Sequence, residues 1–538
     1  MESFEPVGLV KTSCSSDRGI VVTKHPLATG VARDILAAGG NACDAAIAAA
    51  FALGVVEPYM SGIGGVGIAL VGTGDDLTVL DGGPVSARNL DPDRYRVIGE
   101  AADSDLFGWP RVRDDANILG PSSVCVPTMV ALMHALYEQG AGLPWPRLLE
   151  PAIELARGGY PVDWLLPLSI LQDLDSLLSF PSTAQTYVPD GRVPAYDMDV
   201  PGGTTFRQEA LARTLEVIAA DWRALYEGEL AGTIAASIQG SGGYLSEADL
   251  AAYDLPISRP ISVPFAGVDV RLAGGLNGGP TIAEMLYIYD ALNSNATWAS
   301  ADDLVAWVEA GSQAFHDRFA EMGHAGTNPA VGTREHALRH RAVAAATPTA
   351  PDGSTTYLTV VDGDECVVSM NLTLLSRWGS RYVIPDTGVL MNNGIMWFDP
   401  LPGRPNSLTP GARPLANMVP AIVMRDGRPV MTLGATGGRK ILGAMAQILA
   451  NVWKHGMTAQ NAVAARRLEL STTPMVADSR FPDAVIREVE RRTGRRLERY
   501  LPRLASGGYA SPLTLLRSDD GLWTAGMDPV GMATSACV

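Results

Sequence analysis

Regular patterning begins with the apolar run GIVVT, Gly19 to Thr23, which predicts a strand, and with Pro26 at a position suited to the first turn of a helix. Leu27, Val31 and Ile35 follow at intervals of four, marking one face of a helix that ends at Gly39-Gly40-Asn41. Asp44 to Val56 then reads DAAIAAAFALGVV, and its small side chains predict a buried helix in close backbone contact with its neighbours. Further helical patterns lie between Gly120 and Ala156, around Ala210 to Leu225 and over Thr281 to Leu292. After Ala350 the texture changes. TTYLTVVD, CVVSMNLTLL and RYVIPDTGVLM are β-branched runs separated by turn residues, and VPAIVMRDGRPVMTLG has the form of a hairpin turning at Asp426-Gly427. A strand-rich module therefore begins near residue 354, behind the polar turn cluster Ala350 to Ser354.

At 538 residues the chain exceeds one core of ordinary size and predicts two to four domains or one large multilayer domain. The 57 glycines and 37 prolines follow no period, which excludes a collagen-like or coiled-coil protein. A net charge of −17 repels phosphate backbones and anionic lipid heads, so nucleic acid is not an expected partner. Cys14, Cys43, Cys125, Cys366 and Cys537 are odd in number and contain no Cys-x-x-Cys pair. They predict neither a disulfide framework nor a zinc site, and a reduced compartment fits them better. With no apolar leader and no span of membrane length, the expectation is a cytoplasmic protein without a membrane partner.

Gly62-Ile63-Gly64-Gly65-Val66-Gly67 matches G-x-G-x-x-G, but a helix precedes it and a strand follows, the reverse of a dinucleotide site. It reads as a helix-to-strand connection. His336 and His340 have helical spacing within the charged segment REHALRH and read as a solvated helix face, so no metal is expected. Gly434-Ala435-Thr436-Gly437-Gly438 lies between a strand and a helical run, an arrangement that points backbone N–H groups at an anion or merely makes a turn.

Several segments together resemble the gamma-glutamyltransferase family of N-terminal-nucleophile hydrolases. They are ATGVARDILAAGGNACDAAIAAAFALGVVEPYMSGIGG, GPSSVCVPTMVALMHALYEQG, LLEPAIELARGGYPV, EAGSQAFHDR, TTYLTVVD, TGVLMNN, RPLANMVPAIV and GATGGRKI, in the family's order. The resemblance implies an α+β protein with a four-layer αββα sandwich, without a cofactor, self-cleaved between Ser354 and Thr355. Residues 1–354 form the large subunit and 355–538 the small one, associated as a heterodimer. Thr355 matches the nucleophile, Thr373 the residue that orients it, and Gly437 and Gly438 the oxyanion hole. The chemistry agrees: a new α-amine takes the hydroxyl proton, and two N–H donors stabilise the tetrahedral oxyanion.

The parts that hold a glutamyl head are altered. Gly83 stands in place of the Arg for the α-carboxylate, Leu375 in place of Asn, and Gly394 to Trp397 in place of the Gln and Asp for the α-amine. Ala416-Asn417 replaces a Ser pair. Unpaired ammonium and carboxylate groups cost several kcal/mol, so the substrate is expected to be a small molecule other than a γ-glutamyl compound. Asn417, Trp397, Arg439 and Arg377 are the candidate substrate contacts, the two arginines being either carboxylate grips or structural groups. The short Pro-rich FDPLPGRPNSLTPGARP resembles members without a long lid. Four readings follow: a side-chain acylase, an oxamate-type amidohydrolase, a C–C hydrolase releasing an oxalyl group in alkyl-proline antibiotic biosynthesis, and a non-catalytic binding protein.

Overall fold

A computed structural model describes residues 11–101, 109–196, 199, 204–293, 296–339, 354–501 and 508–538. Two antiparallel seven-stranded sheets form its centre. The first runs through Thr534–Cys537, Gly19–Thr23, Thr356–Asp362, Val367–Thr373, Val66–Thr73, Asp76–Gly82 and Ile257–Ser258. The second runs through Ser15–Ser16, Trp523–Met527, Ser511–Arg517, Arg428–Thr436, Ala421–Arg425, Val268–Leu272 and Ile261–Phe265.

Side chains alternate along each strand, and this period of two sorts them into three cores. Ile20, Val22, Ile68, Leu70, Tyr357 and Val361 of the first sheet meet Ile422, Met424, Leu513 and Leu515 of the second. On the outer face of the first sheet, Val21, Ala69, Leu358 and Val360 pack against helices Pro26–Ala37, Ala42–Val56, Met129–Glu138 and Trp145–Gly158. On the outer face of the second, Val270, Val423, Met431 and Leu433 pack against Gly279–Leu292, Ala301–Glu321 and Lys440–Trp453. The result is the αββα sandwich.

Helix Ala42–Val56 is buried along its whole length, as its alanines require. Asn41 and Asp44 close a reciprocal capping box at its start, a cap worth about 1 kcal/mol, and Asp44 also accepts from Gly142 and Leu143. The helix predicted from Ala210 to Leu225 is divided into Glu209–Ala220 and a 3₁₀ turn, Trp222–Leu225. The Asp426-Gly427 hairpin turns with φ of 53° and 75°, as expected of that pair.

Three expectations are corrected. RYVIPDTGVLM contributes only two isolated bridges, Val383 to Leu390 and Met391 to Gly64, because its backbone takes left-handed turns at Arg381, Asp386 and Gly388. The strand-rich segment after residue 354 is no separate module: Thr356–Asp362 pairs directly with Gly19–Thr23, and both sheets interleave strands from the two parts of the chain. Cys14 and Cys537 form a disulfide despite a separation of 523 residues. Sheet pairing of Ile20 with Cys537 brings the two ends of the chain together, a proximity that cysteine spacing does not reveal. No helix among the described residues is long and apolar enough to cross a membrane.

Candidate active site

Thr355 stands one residue before the strand Thr356–Asp362. Thr356 faces the helical side, where its hydroxyl donates to Glu57 Oε2 at 2.9 Å, so alternation turns Thr355 toward the space between the sheets. The register that pairs Thr356 with Leu372 brings Thr373 opposite Thr355. Asn371, on the same face as Thr373, donates across to Ala435 O at 3.0 Å. Thr355 Oγ1 lies 3.4 Å from Thr373 Oγ1, and both hydroxyls reach the Ser354 carbonyl, Thr373 at 2.9 Å. Leu375 N–H donates to Thr373 Oγ1 at 2.8 Å and fixes that rotor. A hydroxyl beside its own preceding carbonyl, with a second hydroxyl on that oxygen, is arranged for attack on the Ser354–Thr355 peptide bond.

The glycines of the helix-to-strand connection support this geometry by close approach. A Cβ at Gly65 would lie 2.6 Å from Thr373 O, and one at Gly64 2.2 Å from Leu390 O. Gly434 plays the same part across the sheets, because its missing Cβ is occupied by the Tyr357 ring.

Gly437 and Gly438 end the strand Arg428–Thr436 and lead into helix Lys440–Trp453, with φ of 128° and 60°. These left-handed values suit glycine and leave the strand-to-helix turn without a Cβ. Next to it, Lys24 Nζ donates to Ser511 Oγ, and Ser511 pairs with Thr436. Lys24 thereby ties the end of strand Gly19–Thr23 in one sheet to the strand that pairs with the Gly-turn strand in the other. Burial holds its ammonium below the usual lysine range, with Asp528 and Glu57 opposing. Burial likewise pushes the Glu57 carboxyl up, against His25, the Thr356 hydroxyl and Lys24. His25 Nε2 is 3.2 Å from Asp163 Oδ2. This buried network under Thr355–Thr356 was not singled out from the sequence; Lys24 and Glu57, charged residues flanking apolar segments, were the available signal.

Two of the altered glutamyl positions are crowded by neighbouring side chains. A Cβ at Gly83 would lie 3.0 Å from Arg413 Nη2, which donates to Asp81 O, Asp81 Oδ1 and Gly83 O at 2.8, 2.9 and 3.2 Å. A guanidinium from a distant loop thus occupies the place vacated at Gly83, a replacement legible only as the Arg of GARPLANM. At Gly394 a Cβ would meet Cys125 Sγ at 2.6 Å, leaving no room for a longer side chain. Asn392 and Asn393 are wholly engaged with backbone and Ser376 and act as a lock for this loop. Leu375 and Trp397 join Met396, Trp109, Ile118 and Ala416 in the apolar cluster between the sheets.

Asn417 is buried; its Oδ1 accepts from Arg318 Nη2 at 3.3 Å, while its Nδ2 has no hydrogen-bond partner among the described residues. A buried donor in that state is suited to a substrate oxygen. Arg377 is drawn instead into an ion pair with Asp173, which also holds Arg381 at 3.2 Å. Arg439 is 1% exposed, and its charge bears on the buried carboxyl of Glu469.

A sandwich of this build, with a threonine at the head of a central strand, defines the N-terminal-nucleophile hydrolases. The chain belongs within them to the gamma-glutamyltranspeptidase family, whose model matches residues 28–537. It is 31% identical over 520 residues to an acylase ACY 1 proenzyme of Pseudomonas sp. (strain SE83), spanning 92% of this chain and 90% of that one. It is 30% identical over 508 residues to the glutathione hydrolase proenzyme of Bacillus subtilis (strain 168), spanning 88% and 83%. The crystal structure of cephalosporin acylase from Bacillus halodurans superposes with a TM-score of 0.84 at 26% identity over 99% of each chain. The protein is accordingly an enzyme, an amide-bond hydrolase of this family.

Proposed function

We propose that the enzyme is a self-processing acylase that transfers a non-glutamyl acyl group from an amide to Thr355 and then to water. The observation that carries this reading is the convergence of the Thr355 and Thr373 hydroxyls on the Ser354 carbonyl. Proenzyme relatives support processing, and two acylase relatives make acylated amines the first substrates to try. Leu375, Met396 and Trp397 form an apolar wall for the acyl body, and Asn417 Nδ2 supplies a hydrogen bond to its polar end.

Intact mass of active enzyme after reduction tests the processing, with pieces of 354 and 184 residues expected and a full-length chain overturning it. A panel of amides with aliphatic, aromatic and dicarboxylic acyl groups tests the substrate class. The best of them is expected to exceed glutathione in kcat/KM by on the order of 10³-fold, since Gly394 to Trp397 leave the glutamyl ammonium without a built partner and Arg413 is already engaged by Asp81. Robust glutamate release would refute the specificity argument. Asn417→Asp keeps the acceptor for Arg318 and removes the donor; kcat/KM on the best amide is expected to fall about 10-fold with Tm unchanged. An unchanged kcat/KM removes Asn417 from the pocket.

A second reading, an oxalyl or similar carboxylate-bearing acyl group, is favoured by one observation, the Arg413 guanidinium beside Gly83. Keto-acids in the same panel separate it from the first.

Processing places Cys14 and Cys537 on different products, so the disulfide joins them covalently. On a denaturing gel without reductant, processed enzyme is expected to run as one species of 56.7 kDa and to separate in two only with thiol. Two bands without reductant would show that the bridge does not form.

A further inference from the structure

His336 does not lie on a solvated face. It is 5% exposed and buried beside Glu284 and Asp317, which are 0% and 1% exposed, whereas its sequence partner His340 lies outside the described residues. The three come from different elements: Glu284 from helix Gly279–Leu292, Asp317 from Ala301–Glu321, and His336 from the short helix Arg334–Ala337. Their ligating atoms all fall within 4.8 Å of one another. His336 Nε2 stands 2.9 Å from Asp317 Oδ2 and 3.9 Å from Glu284 Oε1.

These distances bracket the separation of about 3.3 Å between ligands on a tetrahedral ion with bonds of about 2.0–2.1 Å. Asp317 Oδ1 is buried without a hydrogen-bond donor among the described residues, and Glu284 faces the same carboxylate. Two carboxylates in contact away from water need a proton or a cation between them. The adjacent guanidinium of Arg318 is directed elsewhere, to Asn277 O at 3.2 Å and Ala416 O at 2.7 Å. Gln313 Nε2 donates to Asp317 Oδ2 at 2.8 Å, the outer hydrogen bond that orients a ligating carboxylate.

We propose that Glu284, Asp317 and His336 bind a divalent transition-metal ion that staples these three helices together. One imidazole and two carboxylates form a donor set suited to zinc or manganese, and such an ion neutralises both carboxylates at once. The role is structural. Asp317 adjoins Arg318, which holds Ala416 and Asn417, so the ion stiffens the support of that loop without touching Thr355. The proposal stands independently of the acylase reading.

The test begins with purified enzyme treated with EDTA and dipicolinate, desalted, and titrated calorimetrically with zinc chloride and, separately, with manganese chloride. Saturable binding of about one equivalent of either ion, with a rise in Tm, is the expected result. Asp317→Asn and His336→Gln are each expected to weaken that binding about 10²-fold, whereas the exposed His316→Gln leaves it unchanged. Failure of the wild-type protein to bind either ion overturns the proposal and leaves the carboxylates sharing a proton. Equal binding by all three variants overturns it too, by locating the ion elsewhere. The wild-type arm decides even where a variant does not fold.

Discussion

Thr355→Ala is expected to stay a single chain of 538 residues and to lose turnover by about 10⁴-fold or more. Both effects have one cause. In the processing proposed above, Thr355 Oγ1 attacks the Ser354 carbonyl carbon, the C–N bond breaks as the amide nitrogen takes a proton, and water then hydrolyses the resulting ester. In turnover the same oxygen attacks the substrate amide, and the α-amine released by processing accepts its proton. In the proposed mechanism Thr373 serves both, with its hydroxyl 2.9 Å from the Ser354 oxygen and its lone pair held by Leu375 N–H. Intact mass and a single-turnover assay read the two effects separately. Thr356→Ala is the control: it removes a hydroxyl bound to Glu57 on the other side of the strand and is expected to process. Cleavage of the Thr355→Ala chain before residue 355 would place the processing chemistry on another residue.

Replacement of Gly437 or Gly438 by a bulky residue is expected to lower turnover by on the order of 10²–10³-fold, the scale for losing one preorganised oxyanion donor. The two positions differ in what else they perturb. At Gly437, with φ of 128°, a Cβ would lie 3.0 Å from Ala510 Cα, so Gly437→Val combines backbone strain with loss of the donor. At Gly438, φ of 60° is a left-handed value that alanine tolerates at a cost of about 1–2 kcal/mol. Gly438→Ala therefore separates the terms: Tm moves by a few degrees, whereas kcat falls only where the N–H is displaced. Wild-type kcat in both variants would remove the Gly pair from the oxyanion hole.

Much of the local structure was legible because it obeys short-range rules. The helix Pro26–Ala37 begins at its proline and ends before Gly39, the alanine-rich helix is buried, and Asp426-Gly427 turns its hairpin. RYVIPDTGVLM misled the same rules, since its β-branched residues are tied by loop contacts such as Thr183 Oγ1 to Val383 N–H rather than by a ladder. His336 misled them too, because a charged neighbourhood in sequence does not reveal the two carboxylates that helix packing brings to it.

By itself, then, the chain's sequence determined the family and many of the helices and strands, and it nominated the threonines and glycines proposed for the reaction centre. These depend on residue type, on neighbours a few positions away, and on motifs in a set order. Tertiary structure alone decided that Cys14 meets Cys537, that Asp173 takes Arg377, that the Arg413 guanidinium lies beside Gly83, and that Asn417 Nδ2 has no partner among the described residues. Each of these joins residues far apart in the chain, and only sheet pairing and layer packing set the distance between them.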